Sequence, residues 1–310
     1  MRIQLSDFKS IDIFVDVSSD FVNNMKTLVE KWNKPQKHSF IIKEIPLVNP
    51  SSQPQEVIMR MHDEYEISVI RGGSGKRIIG NSIQYLSETS MFFIGPNVPH
   101  SVQLDGYSEA RAITIHFLPE SFGNGFFDLP ENVHISELLQ QSARGIDFGN
   151  VMAAHYYNVL EELRSKISFD RMITFFLLLQ ELSQMPRKTL SSAGYSPLVD
   201  DNNYEKVNKI YQYVLNTFDA EEDVTLDEIS SYVNMAPATF CRYFKKHFNK
   251  TFTCLLNEVR IGHACKMLQE TDLNVAEIAF ASGYNHLTHF NRQFKKFVGY
   301  SPKAYRQTLN

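Results

Sequence analysis

The 310-residue sequence predicts an α+β protein, with a small β-barrel and flanking helices in the N-terminal half and an all-α domain at the C-terminus. Three observations carry this prediction. Short strand-like segments, punctuated by Gly and Pro, run from about residue 40 to residue 118. Helical spacing resumes at Tyr204 and continues to the end. Within that helical stretch Phe240, Arg242, Phe244, Lys245 and Lys246 recur 50 positions later as Phe290, Arg292, Phe294, Lys295 and Lys296, which marks an internal repeat.

Taken in order, residues 1–37 read as an N-terminal extension holding a strand at Ile11–Val17 and a helix at Asp20–Trp32. Residues 38–120 read as the barrel. Ile58–Ile70 alternates for part of its length and reads as one strand, and Gly72–Gly75 supplies a turn before the strand Lys76–Gly80. That GGSGK stretch reads as a hairpin turn, because a phosphate loop needs the G-x-x-x-x-G-K-[ST] spacing ahead of a helix. Met91–Ile94 reads as a buried strand stopped by Gly95-Pro96, and Ala112–Phe117 as another. Residues 121–187 lengthen to a helical period, with Leu160, Leu163 and Ile167 apolar. Phe175, Phe176 and Leu177–Leu179 are apolar on more than one side, which fits a dimerisation surface or a plain core helix equally well. A polar stretch with Pro and Gly, 188–203, reads as a linker, and 204–310 as the C-terminal domain.

Composition narrows the classes. Three cysteines (Cys241, Cys254, Cys265) without paired spacing argue against a disulfide framework and fit a reducing cytoplasm. Met1–Ser10 has no long apolar core, and the most apolar run, Met172–Leu179, is too short to span a bilayer, so a soluble protein without membrane partners is expected. The net charge of -4 is uneven: from Ala236 onward there are 11 Lys+Arg against 4 Asp+Glu, leaving 20 against 31 for the rest of the chain. A basic end on an acidic body suits a nucleic-acid-binding module attached to something else.

The repeat resolves into two helix-turn-helix units. In the first, Thr225 and Glu228 form a T-x-x-E capping box, Ile229 and Val233 face inward, Asn234-Met235-Ala236 is the turn, and Pro237 opens the next helix. In the second, Asn274 caps a helix carrying Val275, Ile278 and Ala279, and Gly283 supplies the positive φ of the turn. Each second helix puts Phe on one face (Phe240, Phe244; Phe290, Phe294) and polar groups on the other, so burial of the aromatics orients the polar face toward a major groove. Phe252–Glu270 reads as a continuous helix linking the units.

The segments CRYFKKHF, LNEVRIGHACKMLQET and EIAFASGYNHLTHFNRQFKKFVGYSPKAYR closely resemble the AraC/XylS family of transcription regulators over about 205–310. The resemblance implies double-stranded DNA as partner, with base-facing positions at Ala238, Cys241 and Arg242 in the first unit and Leu287, Thr288, His289, Asn291 and Arg292 in the second. Arg suits guanine, Asn suits adenine, and apolar groups can meet a thymine methyl. Lys245, Lys246, Lys295 and Lys296 are expected on phosphates. One departure stands out: the family usually has Ser at the cap of the first recognition helix, where this chain has Ala236.

In the barrel, Arg60, His62 and Glu66 share parity and would share a face of one unbroken strand. With His100, which follows the Gly95–Pro99 turn, they resemble the pocket residues of a cupin barrel. Arg60 stands where metal-binding cupins have their first His, so neither a metal nor another cofactor is expected. The resemblance implies a small-molecule effector instead, with a carbohydrate among the candidates, held by Arg60, His62, Glu66, His100 and, on another strand, His116; an internal Arg60–Glu66 ion pair with His100 hydrogen-bonded nearby accounts for the same residues equally well. The leading expectation is a dimeric, effector-responsive DNA-binding regulator, not an enzyme, with RNA polymerase a further candidate partner. The alternatives are a constitutive regulator whose barrel only dimerises, and a cupin-type enzyme fused to a DNA-binding module.

Overall fold

The computed structural model describes residues 28–29, 39–48, 59–86, 88–105, 109–195, 201–220 and 224–308. The strand expected at Ile11–Val17 and most of the helix expected at Asp20–Trp32 lie outside these residues; Leu28–Val29 is described, as a short strand.

Two sheets form the N-terminal half. In chain order the first nine strands are β1 (Leu28–Val29), β2 (Phe40–Val48), β3 (Arg60–Met61), β4 (Tyr65–Arg71), β5 (Gly75–Ile79), β6 (Ser82–Leu86), β7 (Thr89–Ile94), β8 (His100–Leu104) and β9 (Glu109–Phe117). After three short 3-10 turns come α1 (Val133–Ser142), β10 (Ile146–Gly149), α2 (Ala153–Ser165), α3 (Ser168–Gln184) and β11 (Lys188–Thr189). One sheet has the order β1-β3-β8-β5-β6 and the other β11-β10-β7-β4-β9-β2.

Strand parity divides the larger sheet's residues between two cores. Ile67 and Val69 of β4, Met91 and Phe93 of β7, and Ile113, Ile115 and Phe117 of β9 pack with Leu138, Leu160, Leu163, Phe175, Leu178 and Leu179 of α1–α3. The residues of opposite parity, including Ile70, Phe92, Ile94 and Ala112, form a second cluster with Ile79, Leu86 and Val98 from the smaller sheet and its loops. The inner layer also receives polar groups, which become the barrel site.

Three details differ from the sequence reading. Ile58–Ile70 is not one strand: His62, Asp63 and Glu64 break it, so β3 and β4 belong to different sheets. Gly72–Gly75 closes no hairpin, since β4 pairs with β7 and β9 while β5 pairs with β6 and β8; the segment carries the chain from one sheet to the other. Ile167 is not part of a buried helical face. It precedes α3 and is 77% exposed. Within the stretch 188–203, Lys188 and Thr189 pair with Asp147 and Ile146 and extend the larger sheet.

The C-terminal domain comprises α4 (Asp201–Thr217), α5 (Leu226–Tyr232), α6 (Pro237–Phe248), α7 (Phe252–Glu270), α8 (Val275–Ala281), α9 (Leu287–Val298) and α10 (Pro302–Gln307). The linking helix has the expected bounds, and its buried residues serve both neighbours. Leu255, Leu256 and Val259 join the core of the first unit with Ile229, Phe240, Phe244 and Phe248. Ile261, Ala264 and Leu268 join the core of the second with Ile278, Phe290 and Phe294. No helix among the described residues is long and apolar enough to cross a membrane.

Candidate nucleic-acid interface and barrel interior

Local sequence fixes the two helix-turn-helix units. Thr225 accepts from the Glu228 backbone N–H while the Glu228 carboxylate accepts from the Thr225 N–H, and Asn274 and Glu277 make the same reciprocal box on α8. Each first helix ends in a left-handed residue, Asn234 (φ 56) and Gly283 (φ 77). The next N–H then closes back onto the helix, Met235 to Ser230 O at 2.8 Å and Tyr284 to Ala279 O at 3.0 Å. Asn234 tolerates this conformation because its short polar side chain carries little steric penalty there. The second unit has one residue more between the left-handed position and its recognition helix. The first helices therefore match at an offset of 49 (Glu228, Glu277), and the recognition helices at 50 (Phe240, Phe290).

Burial orients the recognition helices. Phe240, Phe244 and Phe248 of α6 and Phe290 and Phe294 of α9 are all buried. On the opposite faces Ala238, Cys241, Arg242, Lys245 and Lys246 are exposed on α6, and Leu287, Thr288, Asn291, Arg292, Lys295 and Lys296 on α9. His289 differs from its neighbours. It is half-buried, packs edge-on against Tyr284 with ring centres 5.6 Å apart, and meets Gln293 Nε2 at 3.1 Å. Gln293, which the sequence reading passed over, therefore stands beside the exposed row. Neither recognition helix has a side-chain cap: Ala236 offers none, as expected, and His286 caps nothing on α9. The lost cap does not by itself distinguish the units.

The barrel interior collects His62, Glu66, His100 and His116, which are 4, 7, 7 and 6% exposed. Arg60 does not join them in burial. It is exposed on the two-residue β3, beyond the break that turns His62 toward Glu66. His116 enters through register instead: it lies directly opposite Glu66 across the β4–β9 ladder, so the two side chains share the inner face. The Glu66 carboxylate is the hub. Its Oε2 lies 3.0 Å from His62 Nε2 and 3.2 Å from His100 Nε2, and its Oε1 accepts from the Ser68 hydroxyl. The other ring nitrogens are anchored to backbone: His62 Nδ1 donates to Glu64 O at 3.1 Å and His100 Nδ1 to Val98 O at 2.9 Å.

Electrostatics follow from the burial. Desolvation opposes ionisation of Glu66, but the His100 and His62 imidazoles beside it hold its carboxyl well below the usual carboxylate range. Desolvation also opposes charge on His62, and its contact with Glu66 overcomes this and raises it. Burial pushes His116 down to about 3, so its imidazole is neutral. Among the described residues His62, Glu66 and His116 offer ligand atoms within 4.8 Å of one another, a set able to hold a metal ion. The expectation of no metal rested on Arg60 occupying a ligand position, and Arg60 lies outside this set.

A separate cleft of about 780 Å³ runs between the barrel and the C-terminal domain, lined by Arg77, Tyr85, Lys250, Gly262, Lys266 and others, and includes none of the Glu66 cluster. Arg77 spans its floor, bonding Gln84 at 2.8 Å and the Asp147 carboxylate.

Comparison with known proteins aligns both halves. Residues 51–150 match the AraC-like ligand binding domain, and residues 229–308 match a helix-turn-helix domain. An uncharacterized HTH-type transcriptional regulator of Staphylococcus aureus is 32% identical over 137 residues, 44% of this chain but 17% of the staphylococcal protein. The HTH-type transcriptional activator RhaS of Mannheimia succiniciproducens is 22% identical over 266 residues, 85% of this chain and 95% of that protein. The solved C-terminal domain of AraT, a response regulator from Geobacillus stearothermophilus, is 33% identical, covers 33% of this chain and 84% of its own, and superposes with a TM-score of 0.32.

Proposed function

With an AraC-like ligand binding domain ahead of a helix-turn-helix domain, the chain belongs to the AraC/XylS family, and from that premise we propose that it is a sequence-specific DNA-binding transcription regulator whose barrel responds to a small effector. One observation carries the DNA reading. α6 and α9 bury their phenylalanines and expose the same Arg and Lys-Lys pattern 50 residues apart, on two units rigidly joined by α7. At 1.5 Å per residue the 19-residue α7 is about 28 Å long, close to the roughly 34 Å that separates successive major-groove segments on one side of the duplex.

Ala238, Cys241, Arg242, Leu287, Thr288, Asn291 and Arg292 read base edges, and Lys245, Lys246, Lys295 and Lys296 contact phosphates. His289 serves this surface through Gln293. The Mannheimia relative is named a transcriptional activator, which supports the regulator class. In the barrel, His62, Glu66, His100 and His116 are the polar groups for an effector with oxygen donors, carbohydrates among them. Dimerisation through α3 is supported by Phe169, Ile173 and Leu177, which are 67, 42 and 58% exposed and repeat every fourth residue along one face.

Selection of bound sequences from random duplexes with the full-length chain tests the DNA reading. The expected result is an enriched site with two short motifs about one helical turn apart. No enrichment, at a salt concentration where the chain still binds duplex non-specifically, would refute it. Screening small polar molecules for a shift in both melting temperature and DNA affinity tests the effector. Binding that no molecule alters would favour the constitutive reading.

A further inference from the structure

α7 sets the distance between the two helix-turn-helix units, and a polar seam along one side of it sets their rotation. Asn257 and Arg260 lie three residues apart on α7, 6 and 8% exposed, among the apolar residues that serve the two cores. A buried guanidinium is costly unless it is bonded, and Arg260 is held by both units. Its Nε donates at 2.7 Å to Phe218 O, just past the end of α4, where a cation meets the negative end of a helix. Its guanidinium carbon lies 5.6 Å from the centre of the Tyr284 ring, in the turn of the second unit. Asn257 holds the far end of Tyr284, accepting from its hydroxyl at 2.7 Å. Gly283 brings that turn directly against the first unit: a Cβ there would lie 2.2 Å from Phe218 O and 2.8 Å from Arg260 Nε. Phe218 itself belongs to the core of the first unit. Tyr284 passes the restraint on to α9, since its ring packs edge-on against His289 and Phe290, with centres 5.6 and 5.3 Å away.

We propose that Arg260 and Asn257 are positioning residues for DNA readout: through Tyr284 they fix the second recognition helix relative to the first, and so the spacing between the two motifs that the chain accepts. The proposal rests on α6 and α9 being the recognition helices. Apolar packing alone would keep the units together but define their angle loosely, because burial of apolar surface is non-directional. Hydrogen bonds weaken steeply when bent, so a bond from α7 to each unit resists rotation as packing does not. The two bonds also leave Asn257 and Arg260 satisfied only in one arrangement of the units, which is how buried polar groups single out one geometry. Small rotations matter at the duplex. One base pair advances a motif by about 3.4 Å and turns it by about 35° around the helix axis.

The test is competition binding of the full-length chain to the two-motif site enriched from random duplexes, and to the same site with its spacer one base pair longer or shorter. Wild type should lose about 10-fold or more in affinity on either altered spacer. Arg260→Met keeps a long side chain without its donors, and its affinities for the three spacers should agree within about 3-fold. Tyr284→Phe removes only the hydroxyl that Asn257 accepts from, and should broaden tolerance in the same direction to a smaller extent. Both variants should stay within about 3-fold of wild type on a duplex carrying only the motif read by α9, a contact that does not depend on the angle between units. If Arg260→Met melts below the assay temperature, the Tyr284→Phe profile decides. Variants as selective for spacing as wild type, or a wild type indifferent to spacing, would overturn the proposal. Loss of the single motif by a folded variant would do the same, because it marks damage to the second unit rather than lost positioning. A wild type that enriches no motif fails the regulator reading first, and this one with it.

Discussion

Individual residues decide how this chain would read DNA and where it is sensitive to pH. Arg242 and Arg292 occupy the same place on their helices, yet their neighbours differ: Arg292 stands beside Asn291 and near the His289–Gln293 pair, while Arg242 stands beside Cys241. Asn and Gln can hydrogen-bond adenine edges, which a thiol cannot do as well. Arg292→Ala should therefore cost roughly 1–3 kcal/mol and relax preference at one base position, and Arg242→Ala should cost less, both measured by competition against variant duplexes. Equal weakening on every sequence would make Arg292 a phosphate contact. Lys295→Ala should reduce the salt slope of binding by about one with little change in preference.

Between the two domains, His263 packs on Phe218 and Tyr85 with ring centres 5.2 and 5.9 Å away. Burial, then the nearby Lys76 and Lys266, lower it below 6.5, against the opposing pull of Asp219 and Asp105. The unfolded chain thus takes up a proton near pH 6.5 that the folded chain refuses. Stability from this group is present above pH 6.5 and falls as pH drops below it. His263→Gln should melt with a shallower pH dependence than wild type between about pH 7 and 5; parallel curves would remove His263 as the cause.

At the scale of elements, capping separates the first helices of the units from the second. α5 and α8 each carry a full capping box, while α6 begins at Ala236 and α9 at His286 without side-chain caps. Ala236→Ser and His286→Ser should each add about 1 kcal/mol to denaturant stability, since a hydroxyl there can accept an orphan N–H of the first turn. Asn274→Ala should remove a similar amount. If Ala236→Ser is neutral, the N–H groups of α6 are already satisfied by solvent. These helix ends were legible in the sequence, because caps, left-handed turn residues and aromatic faces act over fewer than about five residues. The barrel was less legible for the converse reason. The Arg60–His62–Glu66 parity argument assumed an unbroken strand, and nothing local to Ile58–Ile70 announced that the chain changes sheet at His62.

At the scale of the molecule, the β5–β6 hairpin docks on the first unit. Ile78 and Ile83 enter the same core as Ile210, Tyr211, Phe244 and Leu255. Tyr211 donates its hydroxyl to Gly80 O at 2.6 Å, Asn81 donates to Phe248 O at the end of α6, and Lys266 on α7 pairs with Asp105. Barrel and recognition helix are thereby physically contiguous, so a change inside the barrel has a packed path to α6. Gly262 lets α7 lie close against the Tyr85 ring, because a Cβ there would be 2.9 Å from it. Gly262→Val should push Tyr85 away, loosen the docking and split thermal unfolding into two transitions by calorimetry, while the isolated units keep their own cores. A single transition at the wild-type temperature would mean that the interface yields without cost.

The sequence by itself determined the double helix-turn-helix, the bounds of its linking helix and the side chains on its outer faces. Those features follow from helical periodicity and from capping, which neighbouring residues settle among themselves. Only the tertiary structure decided that His116 lies against Glu66 while Arg60 stays outside, that Gly72–Gly75 passes between sheets, and that β5–β6 rests on the DNA-binding domain. Each of these depends on pairing between residues far apart in the chain. A strand chooses its partner and register by what the whole sheet buries.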